Sequence, residues 1–231
     1  MQTIIEWDRM LLALINGHHN MFFDTLMVVL TSGPTWIPLY VALLYLVVKN
    51  NENVAQIILV ITCVIFCILT TEVVTEGVVK PMVARYRPGS DPQWMNMVHV
   101  VFDRRSSDYS FFSAHASNTF GIAVFFALLV RNKCFSWMMM AWTGINCYTR
   151  LYLAMHYPTD ILVGILYGAL VGAVAYLLFW GANRIFMPKQ EYVSSHYSTT
   201  GYDVADIDAV ACVLGATMVI ALLVSLFMQS L

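Results

Sequence analysis

Charge is what this sequence has least of. Asp, Glu, Lys and Arg make up only 11% of its 231 residues, against 59% hydrophobic residues. A soluble domain carries roughly 25% charged and about 45–50% apolar residues. At a mean hydropathy of +0.69 the chain lacks the polar groups to cover its own surface. That excludes a water-soluble globule, and so much apolar sequence also excludes disorder. An excess of one sign is missing too: the formal net charge is -2, and nothing points to a nucleic-acid partner. The five cysteines, Cys63, Cys67, Cys134, Cys147 and Cys212, show no metal-ligand spacing and read as small buried hydrophobes. The opening MQTIIEWDRM lacks the basic region of a cleavable signal peptide, so the first helix is expected to stay with the protein. Internal repeats and low-complexity tracts are absent as well.

What is there is apolar sequence in span-sized runs. A helix needs about 20 apolar residues to cross a bilayer. Such stretches fall at 36–49 (behind a short lead-in at 22–32, with Gly33-Pro34 between the two), 54–71, 116–130 with a start near Phe111, 134–149, 161–180 and 209–228. Residues 3–16 set Ile4, Ile5, Trp7, Leu11 and Leu12 among Glu6, Asp8 and Arg9, the pattern of an amphipathic helix lying at the interface. The expected fold class is all-α: a polytopic membrane helix bundle of about six transmembrane helices plus an N-terminal interfacial helix. A single domain is expected over 1–231, with an extra span near its C-terminal end.

Alternating directions place the N-terminal segment and the connectors at about 72–110 and 150–160 on one face. Orientation follows from Lys and Arg near span ends. This face carries Arg9, Lys80, Arg85, Arg87, Arg104, Arg105 and Arg150, and the other Lys49, Arg131, Lys133, Arg184 and Lys189. The raw count puts the first face inside. Reserving Lys80, Arg87 and Arg150 for a site tips the balance narrowly the other way. The stretch 89–110, with Trp94, His99 and Tyr109, is long enough to serve as a lid or as an aromatic-anchored flap.

The ionisable residues least at home in a bilayer gather on that face: Lys80, Arg87, His115, Arg150, His156 and Asp160, with Ser113 beside them. Such residues are functional suspects by default. Lys80, Arg87 and Arg150 together suit a multiply charged anion, because arginine forks match phosphate oxygens and lysine adds a point charge. A divalent metal on His115, His156 and Asp160 is the competing arrangement, and three cations in one pocket oppose it. Pro158 suits the first turn of a helix, and Asp160 then sits where the helix dipole favours a carboxylate. Alternatively Asp160 fixes one ring nitrogen of His156 and frees the other as a nucleophile. Arg85, Arg104 and Arg105 read as solvated or headgroup-facing charges, with contact to a second phosphate as a further option for the latter two.

Three segments resemble a known family. Lys80-Pro-Met-Val-Ala-Arg-Tyr-Arg87-Pro88 resembles the Lys-x6-Arg-Pro element of the type 2 phosphatidic acid phosphatase superfamily. Phe112-Ser113-Ala114-His115 is similar to its Pro-Ser-Gly-His element, and Thr149-Arg150-x5-His156-x3-Asp160 to its Ser-Arg-x5-His-x3-Asp element. The resemblance spans about 20–181. Phe112, Ala114 and Thr149 depart from the pattern, and none of the three removes a group that does chemistry. The resemblance implies a metal-independent lipid phosphatase without a cofactor, in which His156 attacks phosphorus to give a phosphohistidine. It implies that Asp160 orients His156, that His115 protonates the leaving oxygen, and that Lys80, Arg87, Ser113 and Arg150 bind the phosphoryl oxygens. Undecaprenyl diphosphate or a lipid A phosphate is the expected substrate, in a bacterial inner membrane with the site facing the periplasm. A transporter or flippase-like binder of anionic headgroups is the alternative. It needs the cations but has no use for the His156–Asp160 pair. A catalytically dead lipid-binding scaffold also stays open, and Ala114 is the one departure that favours it.

Overall fold

Side-chain caps mark where several of the apolar runs turn into helices. A computed structural model describes residues 2–51, 53–106, 108–186 and 196–229, which leaves Lys189 of the charge count outside the described residues. Helix α1 is Gln2–Asn16. Helix α2, Met21–Thr31, opens on Asn20, whose side chain accepts from Phe23 N at 2.8 Å. Gly33–Trp36 forms a 3-10 turn in which Pro34 has no N–H for the helical ladder. The chain bends there by 69° before α3, Ile37–Asn50.

Helix α4, Val54–Glu72, is capped by Asn53 and does not end with its apolar run. A π-helical segment, Val73–Val79, carries it into α5, Lys80–Val83, and Ala84 in the left-handed region (φ 49°) stops it. Lys80 therefore sits on a continuing helix rather than in the connector expected from 72 onward. Helix α6, Ala114–Val130, begins on Ser113, whose Oγ accepts from Ala116 N at 3.3 Å. That cap, rather than the apolar Phe111, sets where α6 starts. Helix α7, Lys133–Tyr152, is opened by Asn132, which accepts from Phe135 N at 3.0 Å. Helix α8, Pro158–Phe186, starts on its proline as the sequence suggests, and α9 is Val204–Gln229.

The architecture is all-α and that of a polytopic membrane protein. Val54–Val83, Pro158–Ile185 and Val204–Gln229 are each long and apolar enough to cross a bilayer, and the bent pair α2–α3 makes a fourth candidate. Six crossings were expected. The other two stretches are also helices, but α6 is a shorter apolar helix of 17 residues and α7 carries Lys133 and Arg150. Helix α6 packs against α4, α7 and α8, so most of its surface meets protein rather than lipid. Helix α9 packs on α2 and α3. Val41, Leu69, Leu166 and Leu177 lie exposed on the outside, as side chains facing acyl chains do.

The α6–α8 contact positions the site. Helix α8 presents Gly164, Gly168 and Gly172, four residues apart, to α6. A Cβ on Gly168 would lie 2.3 Å from Ser117 O, one on Gly172 2.4 Å from Gly121 O, and one on Gly164 2.8 Å from Ser113 O. Only glycine lets the backbones approach this closely, and close packing of small residues is what holds helices together in lipid. The two helices start on the same face, and Ser113 N donates to Asp160 O at 3.1 Å. Gly168→Ala is expected to cost about 1–3 kcal/mol, because the obstructing atom is backbone and has nowhere to go. Gly181→Ala, where nothing lies within 4 Å, is the control. Apparent melting temperatures in detergent check this: the first variant melts lower and the second with the wild type.

Candidate active site

The cations come from three separate elements. Lys80, on α5, is 3% exposed, and its Nζ donates to Glu76 one turn earlier. Arg87, just past the end of α5, is 8% exposed and donates from Nε to Asp108 O at 3.2 Å. Arg150, in the last turn of α7, donates from Nη1 to Thr31 Oγ1 at 3.0 Å, beside the α2–α3 bend. Its Nε is buried and has no partner among the described residues. Arg150 and Arg87 lie near enough for their charges to act on each other, and Glu76 and Asp160 act on Arg87.

The histidines stand next to these cations. His156, in the turn between α7 and α8, is 2% exposed. Its Nδ1 faces Asp160 Oδ2 at 3.7 Å, just beyond hydrogen-bond reach, and has no other partner among the described residues. Asp160 Oδ2 also accepts from Tyr157 N at 2.9 Å. His115 sits in the first turn of α6, with Nε2 at 3.1 Å from Asn146 Oδ1. The charge of Arg150 reaches both rings. Ser113 is fully buried as the N-cap of α6, joined to Asp160 through its backbone. The structure thus brings together Arg87, Ser113, His115, Arg150, His156 and Asp160, and links Lys80 to them through Glu76, whose charge acts on Arg87.

A family model, described as the PAP2 superfamily, matches residues 55–184, more than half of the chain. The chain belongs to the PAP2 superfamily. It is 34% identical to a lipid A 4'-phosphatase of Bacteroides thetaiotaomicron, over 77% of this chain and 79% of that one. It is 27% identical to a lipid A 4'-phosphatase of Porphyromonas gingivalis, over 78% and 75% of the two chains. The crystal structure of Aquifex aeolicus LpxE matches with a TM-score of 0.51, covering 71% of this chain and 92% of that chain at 20% identity, a likeness of fold. With its family come its class and location: this PAP2 protein is a lipid phosphatase and an integral membrane protein.

Some residues around the PAP2 site escaped the sequence reading. Arg85 is not a solvated charge. Its Nη1 donates to Asp160 Oδ1 at 2.7 Å, its Nη2 to Asp8 Oδ2 at 2.7 Å, and its guanidinium lies 3.9 Å from the Tyr157 ring centroid. Arg105 is tied into the long connector, donating to Gly89 O and to Asp103 Oδ1, both at 3.0 Å. Asn146 is buried, and its Nδ2 donates to Trp142 O at 2.9 Å. That bond fixes the amide, so Oδ1 is the acceptor facing His115 and Nε2 carries the proton. Asn146 is four residues before Arg150, one helical turn on the same face, and that spacing was the available signal. For Asp8 the signal was its register with Asn16 along α1.

Metal-ligand geometry lies elsewhere. Among the described residues, the group close enough to hold an ion is His19, Asp24 and His99, not His115, His156 and Asp160. The His19 and His99 rings stack at 3.6 Å and 15°, and nearly parallel rings do not aim their in-plane lone pairs at one point. Asp24 Oδ1 accepts from Tyr152 OH at 2.8 Å, so the cluster ties the long connector to α2 and α7.

Burial pushes the His156 imidazole down to about 3, and Arg150 pushes the same way while Asp160 opposes. Burial likewise lowers Arg87 against the pull of Asp108 and Glu76. The unfolded His156 takes up a proton near 6.5 and the folded one does not until about 3. Its contribution to stability is therefore complete above 6.5 and lost as pH falls toward 3. At roughly 1.4 kcal/mol per pH unit, going to about pH 5 removes about 2 kcal/mol. Melting followed between about pH 8 and about pH 5 should show that loss in the wild type and a smaller one in His156→Gln.

Proposed function

We propose that this enzyme removes a phosphate from lipid A, at the 4' position, through a phosphohistidine on His156. The observation that carries the chemistry is a buried imidazole that faces a carboxylate, with the charges of two arginines acting on it. A carboxylate behind Nδ1 holds the tautomer that leaves the other ring nitrogen free to attack. That nitrogen forms a bond to phosphorus while the bond to the leaving oxygen breaks, and His115, protonated on both ring nitrogens, gives the proton on Nδ1 to that oxygen while its Nε2–H stays on Asn146. Water then attacks the phosphohistidine, gives its proton to His115, and releases inorganic phosphate and free His156. Lys80, Arg87, Arg150 and Ser113 hold the phosphoryl oxygens and offset the charge that builds up in the transition state. The N-terminal end of α6 adds partial positive charge. Neither a metal nor a cofactor takes part in this reading, since the cations already supply the positive charge.

Lipid A phosphate is favoured over undecaprenyl diphosphate by the two relatives named above, which align over most of their length. In this reading the whole of 1–231 works as one phosphatase domain. It lies in a bacterial inner membrane with the site at the periplasmic headgroup level, so that the acyl chains stay in the bilayer. A carrier of anionic headgroups needs the cations, but gains nothing from burying His156 against Asp160.

The test is phosphate release by the purified protein with EDTA present, on lipid A, undecaprenyl diphosphate and phosphatidic acid. Turnover fastest on lipid A, reduced to background in His156→Ala, is the expected result. His115→Ala is expected to lose about 100-fold to 10,000-fold in rate. Lipid binding by His156→Ala that persists without any wild-type turnover would move the reading to a carrier.

A further inference from the structure

Helix α1 is amphipathic the wrong way round for a helix packed on a soluble core. Its inner stripe is Asp8, Leu12 and Asn16, four residues apart and 2%, 0% and 3% exposed. Ile4, Trp7, Leu11 and Leu14 point outward and are 59%, 57%, 42% and 62% exposed. A helix with that outer face lies in the headgroup boundary of a membrane. The polar stripe is turned toward the site.

A carboxylate as buried as Asp8 must be paired. Its Oδ1 accepts from Thr159 N at 2.9 Å, and its Oδ2 from Thr159 Oγ1 at 2.5 Å and Arg85 Nη2 at 2.7 Å. It thus ties down the first turn of α8 and one arm of Arg85. The other arm holds Asp160 Oδ1 at 2.7 Å and Thr159 Oγ1 at 2.9 Å. Asp160 is then left with Oδ2 toward His156. Two further bonds seat the helix: Arg9 pairs with Asp91 at 3.3 Å, and Asn16 Nδ2 donates to Tyr152 O at 2.7 Å.

We propose that α1 is an interfacial latch, and that Asp8 and Arg85 are positioning residues that set Asp160 for His156. Seating α1 at the membrane surface places Asp8. Asp8 fixes the guanidinium of Arg85, and Arg85 fixes the carboxylate. Neither residue touches the phosphate, because Arg85 is occupied on both arms by carboxylates. The inference rests on the roles given above to His156 and Asp160.

The experiment compares Asp8→Asn, Arg85→Lys and Trp7→Glu with the wild type in lipid nanodiscs, measuring kcat, KM and melting temperature on lipid A. Asp8→Asn keeps an oxygen for Thr159 N and loses the charge facing Arg85, so it is the milder change if Arg85 variants do not fold. A misplacement of about 1 Å at a reacting group costs on the order of 100-fold, and a loss of about 10-fold to 100-fold in kcat with little change in KM is expected for Asp8→Asn and Arg85→Lys. Trp7→Glu is expected to lower kcat in the same sense. In an Asp160→Asn background the Asp8 and Arg85 changes should add nothing further, since they act through that carboxylate. Losses that multiply with Asp160→Asn, or that follow the melting temperature alone, would overturn the latch. So would wild-type kcat in Asp8→Asn and Arg85→Lys while His156→Ala is inactive. Wild-type turnover that survives in His156→Ala would instead defeat the phosphohistidine reading on which the latch rests.

Discussion

Two helix backbones in contact hold this site together. The α6–α8 approach at Gly164, Gly168 and Gly172 leaves no room for a methyl group. The residues at the two helix starts are therefore fixed relative to one another by backbone, not by side chains that adjust. Ser113 and His115 come from one helix start, and Asp160 from the other, with His156 just before it in the turn. The amides there are largely taken up by protein oxygens, Ala116 N by Ser113 Oγ and Thr159 N by Asp8 Oδ1. Widening that contact moves the carboxylate and the α6 groups apart together.

Gathering cations in a low-dielectric place has a cost that partners must offset. Here each has a protein oxygen: Glu76 for Lys80, Asp108 O for Arg87, Thr31 Oγ1 for Arg150, and Asp8 with Asp160 for Arg85. The partners differ in strength. The carbonyl and the hydroxyl are neutral acceptors that a phosphate oxygen outcompetes, and the Asp108 carboxylate reaches Arg87 only at 4.0 Å, whereas a guanidinium between two close carboxylates stays where it is. That difference separates Arg87 from Arg85, neighbours in sequence: in the proposed mechanism the first meets the phosphate and the second holds Asp160.

The long connector is part of that framework too. Ser90 Oγ donates to Ser106 O at 2.8 Å, Ser110 N to Arg85 O at 2.8 Å, and Gly89 N to Ala154 O at 3.3 Å. Asn16 brackets His99 by donating to its carbonyl at 2.8 Å and accepting from its N–H at 2.7 Å. Helix α1 and the connector thus pack together over the ends of α7 and α8, on the side of the molecule where the candidate site lies.

The sequence by itself determined the membrane class, the positions of the helices and the residues that meet at the site. Apolar runs and scarce charge leave few alternatives in a bilayer, and the fixed spacings around Lys80, Ser113 and His156 place the same groups at the same helix ends. Tertiary structure decided what those spacings do not encode. The extension of α4 to Val83 through a π-helical segment follows from local hydrogen bonding that an apolar count does not see. The setting of Arg85 depends on Asp8, 77 residues away in sequence, and that of His115 on Asn146 from another helix. A charge next to a motif looks the same in sequence whether it faces water or a buried carboxylate. Only packing brings the partner, and the partner sets the role.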